Sequence, residues 1–235
     1  MKLNSVKMSR CAPQTGIRKI YIALLYVYTR LMYRLKIHTM ITDNEKKILK
    51  FLLAHFNSDY SINEIAKKCN LAPNGAYEIL KKFEEKEILL PKKIANSKSY
   101  KINFENRETN KLLELALLPD YRKSKIKYRY NDLIHLEDIT LLCILFGSYV
   151  TKKEKPNDID ILFVIKKGDY KKYSETLEKA KLILPLKLHD VIQTKEDITK
   201  NIKKEEKLII DAIYGGIVLW GHEFLIGVIK NAIKK

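Results

Sequence analysis

Two apolar runs set close together constrain this chain more than anything else in it. Residues 141–165 read LLCILFGSYVTKKEKPNDIDILFVI: an apolar stretch ending at Gly147-Ser148, a polar connector, and a second apolar stretch opened by Asp158-Ile159-Asp160. Short apolar runs bounded by polar residues predict two strands that a hairpin sets side by side, which brings the polar groups to adjoining strand ends. Residues two apart in a strand face one side, with Cα atoms roughly 6.5 to 7 Å apart, so Asp158 and Asp160 aim both carboxylates at one point. Paired hard oxygen ligands suit Mg²⁺ shared with phosphate oxygens. Gly147 has no side chain to keep a phosphate from the backbone, and the Ser148 hydroxyl can donate to it. Alone, a Gly-Ser is commonly a turn and an Asp pair commonly a solvated strand end; together they say much more.

Phe146-Gly147-Ser148-Tyr149 and Asn157-Asp158-Ile159-Asp160-Ile161-Leu162 resemble the motifs of the nucleotidyltransferases of the DNA polymerase β-like superfamily, in their minimal form. The resemblance implies that Gly147 and Ser148 open a short helix and contact nucleotide phosphates, and that Asp158 and Asp160 bind Mg²⁺. It also implies a third carboxylate on a neighbouring strand and a pair of Mg²⁺ ions holding the phosphate between acceptor and leaving group. Two positions depart from the pattern. Val150-Thr151-Lys152 replaces a small-basic-Gly step, and Asn157 stands where a serine usually precedes the aspartates.

The third carboxylate is sought in residues 184–193. Alternation there puts Leu186, Leu188, Asp190 and Ile192 on one face, and Lys187, His189, Val191 and Gln193 on the other. Asp158, Asp160, Leu162 and Val164 form a face of the same design. Asp190 is therefore the candidate third metal ligand or base, its alternative being a plain strand end. His189 is expected at the surface or in packing. Lys152 and Lys153, with Lys155, are candidates to neutralise a triphosphate, against the reading of an ordinary solvated connector.

Charge narrows the partners. The chain has 45 Lys and Arg against 28 Asp and Glu, a net +17, which favours anionic partners. Eight of those basic residues and no acidic ones lie in residues 1–40, so the first 39 residues read as a basic extension, either a tail or an upstream start-site artefact, against an arm for membrane surface or nucleic acid. Its apolar run at 20–28 is too short for a transmembrane segment, and no cleavage site follows as in a signal peptide. Cys11, Cys69 and Cys143 form no CxxC pair and the five histidines no zinc spacing, so reduced thiols in a cytoplasmic protein are expected.

In residues 40–107, apolar positions at helical spacing fill 43–56, Ser61-Ile-Asn-Glu64 is a capping box, a turn follows at 70–74, and a third helix starts at Gly75 or Ala76. Residues 88–103 read as a hairpin wing. This is the pattern of a winged helix-turn-helix, and it resembles the winged-helix domains of prokaryotic transcriptional regulators. Asn74, Tyr77, Lys81 and Lys82 on the third helix and Lys98 on the wing are candidate DNA contacts, dimerisation or protein contact being the alternative use. Residues 108–129 read as a basic linker and 130–235 as the nucleotidyltransferase domain. The expected fold is α+β, a winged helix-turn-helix followed by a small mixed-sheet domain. The expected activity is Mg²⁺-dependent transfer of a nucleoside monophosphate from a triphosphate, with ATP the first choice, to a hydroxyl on a protein or RNA. Expected partners are the nucleotide, DNA, that acceptor, a toxin to be neutralised and a second copy in a homodimer. The competing expectation is a non-catalytic DNA-binding regulator or antitoxin-like protein that only binds nucleotide or a partner.

Overall fold

The computed structural model of the chain describes residues 41–94, 97–121, 123–151 and 156–233. The basic extension, Cys11, and the connector lysines Lys152, Lys153 and Lys155 lie outside the described residues.

Helices begin where the sequence supplies a cap. The Thr42 hydroxyl accepts from the Glu45 amide while Glu45 accepts from the Thr42 amide, opening α1 (Asp43–Ala54), and Ser61 with Glu64 opens α2 (Ile62–Cys69) the same way. α3 (Pro73–Glu85) starts two residues before the expected Gly75, because Pro73 at its first position has φ already suited to a helix and no amide to leave unpaired. β1 (Leu89–Ile94) and β2 (Ser97–Ile102) pair antiparallel as the expected wing.

The segment expected as a linker, 108–129, and the start of the domain expected from 130 carry core side chains. α4 (Arg107–Leu117) buries Leu113, Ala116 and Leu117. α5 (Ser124–Leu133) buries Ile126, Tyr130 and Leu133, a spacing of four then three that the intervening lysines and arginine disguise. A 3₁₀ turn (Ile134–Leu136) leads into β3 (Thr140–Phe146), α6 (Ser148–Thr151), β4 (Asp158–Ile165), α7 (Tyr170–Lys181) and β5 (Lys187–Thr194). α8 (Lys195–Lys203), capped by Thr194 and Asp197, breaks at Glu205, whose φ is 52°, before α9 (Lys207–Gly215), β6 (Ile217–Trp220) and α10 (His222–Ile233).

The four-stranded sheet has the order β5-β4-β3-β6, with β4 and β5 parallel and the other pairs antiparallel. Both of its faces are apolar. Cys143, Leu145, Ile159, Ile161 and Phe163 pack in one cluster with α5 and α7. Leu142, Ile144, Leu162 and Val164 belong to the other cluster, with α8, α9 and α10. That second cluster runs on without a break into Leu49, Phe51 and Leu53 of α1 and Leu80 and Phe83 of α3, so the helix-turn-helix and the sheet share one core. Each fully buried Leu, Ile or Phe there contributes about 1.5 to 3 kcal/mol relative to exposure. Polar bonds cross the same junction. Lys50 donates to the Gly216 carbonyl, Tyr214 to the Lys68 carbonyl at 2.8 Å, and Lys230 to the Phe104 carbonyl at 2.8 Å. The architecture is α+β, and no helix among the described residues is long and apolar enough to cross a membrane.

Candidate metal and nucleotide site

The site is built at the ends of β3 and β4. Antiparallel register sets Phe146 opposite Asp160, which brings Gly147 directly onto the Asp160 side chain. A Cβ built on Gly147 would stand 2.1 Å from Asp160 Oδ2, and its φ is +70°. Space and backbone conformation therefore both demand glycine here. Ser148 opens α6, and its hydroxyl donates to Asp158 Oδ1 at 3.3 Å. Asp158 and Asp160 point to the side of the sheet on which Leu162 and Val164 are buried, but their own carboxylates remain 33% and 28% exposed, open to a ligand. Burial, and then repulsion from Asp158, push the Asp160 carboxyl above its ordinary pKa, while His189 acts in the opposite sense.

Asp190 does not join them. β5 runs parallel to β4 with His189 in register with Asp160 and Asp190 in register with Ile161. Side chains in register on neighbouring strands share a face, so His189 comes beside the aspartates and Asp190 falls on the opposite side. There Asp190 accepts a hydrogen bond from Tyr173 Oη at 3.1 Å and lies 3.6 Å from Lys181 Nζ. Burial and then Asp190 push the Tyr173 phenol far up. The side of the sheet expected for Asp190 is thus taken by His189, which is exposed, in keeping with the surface position expected of it. Alternation along β5 tells which residues share a face, but with both faces of the sheet apolar it does not tell which face; only the register with β4 does.

His189 Nδ1 stands 3.5 Å from Asp158 Oδ2 and 3.7 Å from Asp160 Oδ1. One ligand atom from each of the three residues lies within 4.8 Å of the others. Ligand atoms held about 2.1 Å from one ion are roughly 3 to 4 Å apart, so the three side chains fit a single divalent cation. Among the described residues His189 is the one basic side chain within ion-pair range of either aspartate.

On the helix-turn-helix, Asn74, Tyr77, Lys81 and Lys82 are exposed on α3, while Ala76, Leu80 and Phe83 are buried. A groove lined by Ser61, Asn63, Asn74, Tyr77, Ser97 and Lys98 runs between the helices and the wing. Several lysines of the helix-turn-helix and wing are already paired. Lys82 meets Glu45 at 2.6 Å, Lys98 meets Glu84 at 2.6 Å, and Lys92 and Lys101 meet Asp59 at 2.5 and 3.1 Å. Lys81 and Lys93 are exposed, and Lys81 acts on the Glu84 carboxylate through space.

Comparison with known proteins agrees with the two halves. Residues 130–213 match the family described as polymerase beta, nucleotidyltransferase, and residues 41–89 match winged helix-turn-helix DNA-binding. Among solved structures, a MarR family protein from Bacillus stearothermophilus is similar over 55% of this chain and 97% of its own, at 16% identity and a TM-score of 0.30. No curated protein matches the sequence. The chain carries a winged helix-turn-helix domain followed by a nucleotidyltransferase domain of the polymerase beta type.

Proposed function

We propose that the protein is a metal-dependent nucleotidyltransferase that moves a nucleoside monophosphate from a triphosphate, ATP in the first instance, to a hydroxyl on a protein or RNA. The observation that carries this reading is the meeting of Gly147-Ser148 with Asp158 and Asp160 at adjoining strand ends, with a bare backbone at the one point where a side chain would displace Asp160.

In this reading Asp158 and Asp160 hold the divalent ion and His189 stands beside them. When bound there, Mg²⁺ or another divalent ion would supply charge stabilisation at the phosphate oxygens and acidify an attacking hydroxyl. Gly147 lets the triphosphate lie against the backbone. Ser148 orients Asp158 through its hydrogen bond and exposes its hydroxyl to phosphate. The winged helix binds duplex DNA, with Asn74 and Tyr77 toward the groove and Lys81 and Lys93 on phosphates; Lys82 and Lys98 contribute less because Glu45 and Glu84 already neutralise them.

The test is incubation of the full chain with α-labelled and, separately, γ-labelled ATP, Mg²⁺ or Mn²⁺, and cell extract. Transfer of the α label that is lost in Asp158→Asn and Asp160→Asn is the expected result; no transfer with any nucleotide or extract overturns the reading. One observation favours a second reading, a regulator that binds nucleotide without transferring it: Asp190, the nearest further carboxylate on β5, lies on the wrong side of the sheet. Nucleotide binding without transfer, together with DNA binding by the intact chain, would establish it.

A further inference from the structure

We propose that His189 Nδ1 is the third ligand of the metal site, and that the site prefers a first-row transition ion such as Mn²⁺ over Mg²⁺. The inference rests on the site assigned above and specifies its metal. β5 brings its one imidazole to the position beside Asp160 by register alone, with Nδ1 between the two carboxylates at 3.5 and 3.7 Å.

Ligand chemistry sets the preference. Mg²⁺ is hard, bonds to oxygen and gives up its waters reluctantly, whereas imidazole nitrogen suits transition ions, whose affinity for mixed nitrogen and oxygen sites exceeds that of Mg²⁺. Two carboxylates and a neutral imidazole carry two negative charges, enough to balance one divalent ion and not two. The nucleotide-free protein therefore holds one ion. Because His189 is 47% exposed, removing its ring opens no core cavity, and variants at this position keep the fold.

The experiment uses the full chain without nucleotide, titrated with Mn²⁺ and followed by electron paramagnetic resonance, with Mg²⁺ as competitor. The expected result is one Mn²⁺ per chain, bound at least tenfold more tightly than Mg²⁺, with nitrogen coupling in the spin-echo spectrum. His189→Ala loses the nitrogen coupling and weakens Mn²⁺ at least tenfold. His189→Asp also loses the coupling but keeps an ion, with the Mn²⁺ advantage over Mg²⁺ reduced. Bound Mn²⁺ without nitrogen coupling in the wild type, unchanged affinity in His189→Ala, or no Mn²⁺ retained would each overturn the proposal. The outcome separates from that of the proposed function. Nitrogen-coupled Mn²⁺ with no label transfer removes the transferase reading and leaves the ligand set; transfer supported by an ion without nitrogen coupling does the reverse.

Discussion

Gly147→Ala places one methyl group against the Asp160 carboxylate of the candidate metal site. Built on the existing backbone, its Cβ lies 2.1 Å from Asp160 Oδ2, 3.0 Å from Cγ and 3.2 Å from Cβ. To restore an ordinary contact the carboxylate has to retreat by more than about 1 Å. The backbone is strained as well, since φ of +70° costs an L-residue about 1 to 2 kcal/mol. For a chain of this size that corresponds to a fall in Tm of roughly 2 to 8 °C. The functional loss should be far larger than the loss of stability, because a 1 Å misplacement of a reacting group costs about a hundredfold in rate. The assay is label transfer from α-labelled ATP beside a thermal melt, at a temperature where the variant is fully folded. Gly227→Ala in α10 is the control: nothing lies within 4 Å of its Cβ, and helix propensity predicts a gain of about 0.5 to 1 kcal/mol with transfer unchanged. A Gly147→Ala protein that transfers label within threefold of wild type would show that the glycine does not protect the position of Asp160.

Three further outcomes test other parts of the structure. Glu45 caps α1 and pairs with Lys82 of α3; burial raises its pKa, but the hydrogen bonds from Lys82 and Thr42 outweigh that and hold it below the ordinary glutamate value. A depressed carboxylate stabilises the fold above its unfolded pKa and loses that contribution as pH falls through the lower folded value, so Glu45→Gln should cost about 1 to 2 kcal/mol at pH 7 by urea titration and converge with wild type in acid. Leu162→Ala, fully buried in the shared cluster, should cost about 2 to 5 kcal/mol and lower a single calorimetric transition; two resolved transitions would contradict a common core. Asp190→Asn keeps an acceptor for the Tyr173 hydroxyl, so it should leave Mn²⁺ affinity unchanged; a tenfold loss would place Asp190 in the metal site after all.

Much of the fold is written locally. Ser61 and Glu64 announce the start of α2, the three- and four-residue spacing of Ala76, Leu80 and Phe83 announces the buried face of α3, and Asp158-x-Asp160 after a Gly-Ser announces the strand ends that carry the site. What local pattern does not carry is the relation between segments. The face of β5 that meets the aspartates depends on a one-residue choice of register with β4, and that choice exchanges His189 for Asp190. α5 hides in the sequence because Ile126, Tyr130 and Leu133 are separated by Lys, Arg, Asn and Asp, so the stretch reads as solvated until a neighbouring sheet is there to cover it. The constraint on Gly147 is likewise invisible in sequence, where it is one turn glycine among eight; the opposing side chain supplies the reason.

The common core has a consequence for how such a chain diversifies. Leu49 and Phe51 of α1 lie in the same cluster as Ile144, Val164, Ile209 and Leu225, so a recombination joint placed between the halves would pair surfaces that never adapted to each other. Each half would also leave several large apolar side chains facing water if inherited alone, at about 25 cal/mol for every square ångström uncovered. Exchanging the helix-turn-helix for an unrelated one would therefore disturb the packing beneath the sheet as well. A volume change on one side of the seam has to be matched on the other to keep the shared core filled, which makes the two halves one unit for substitution.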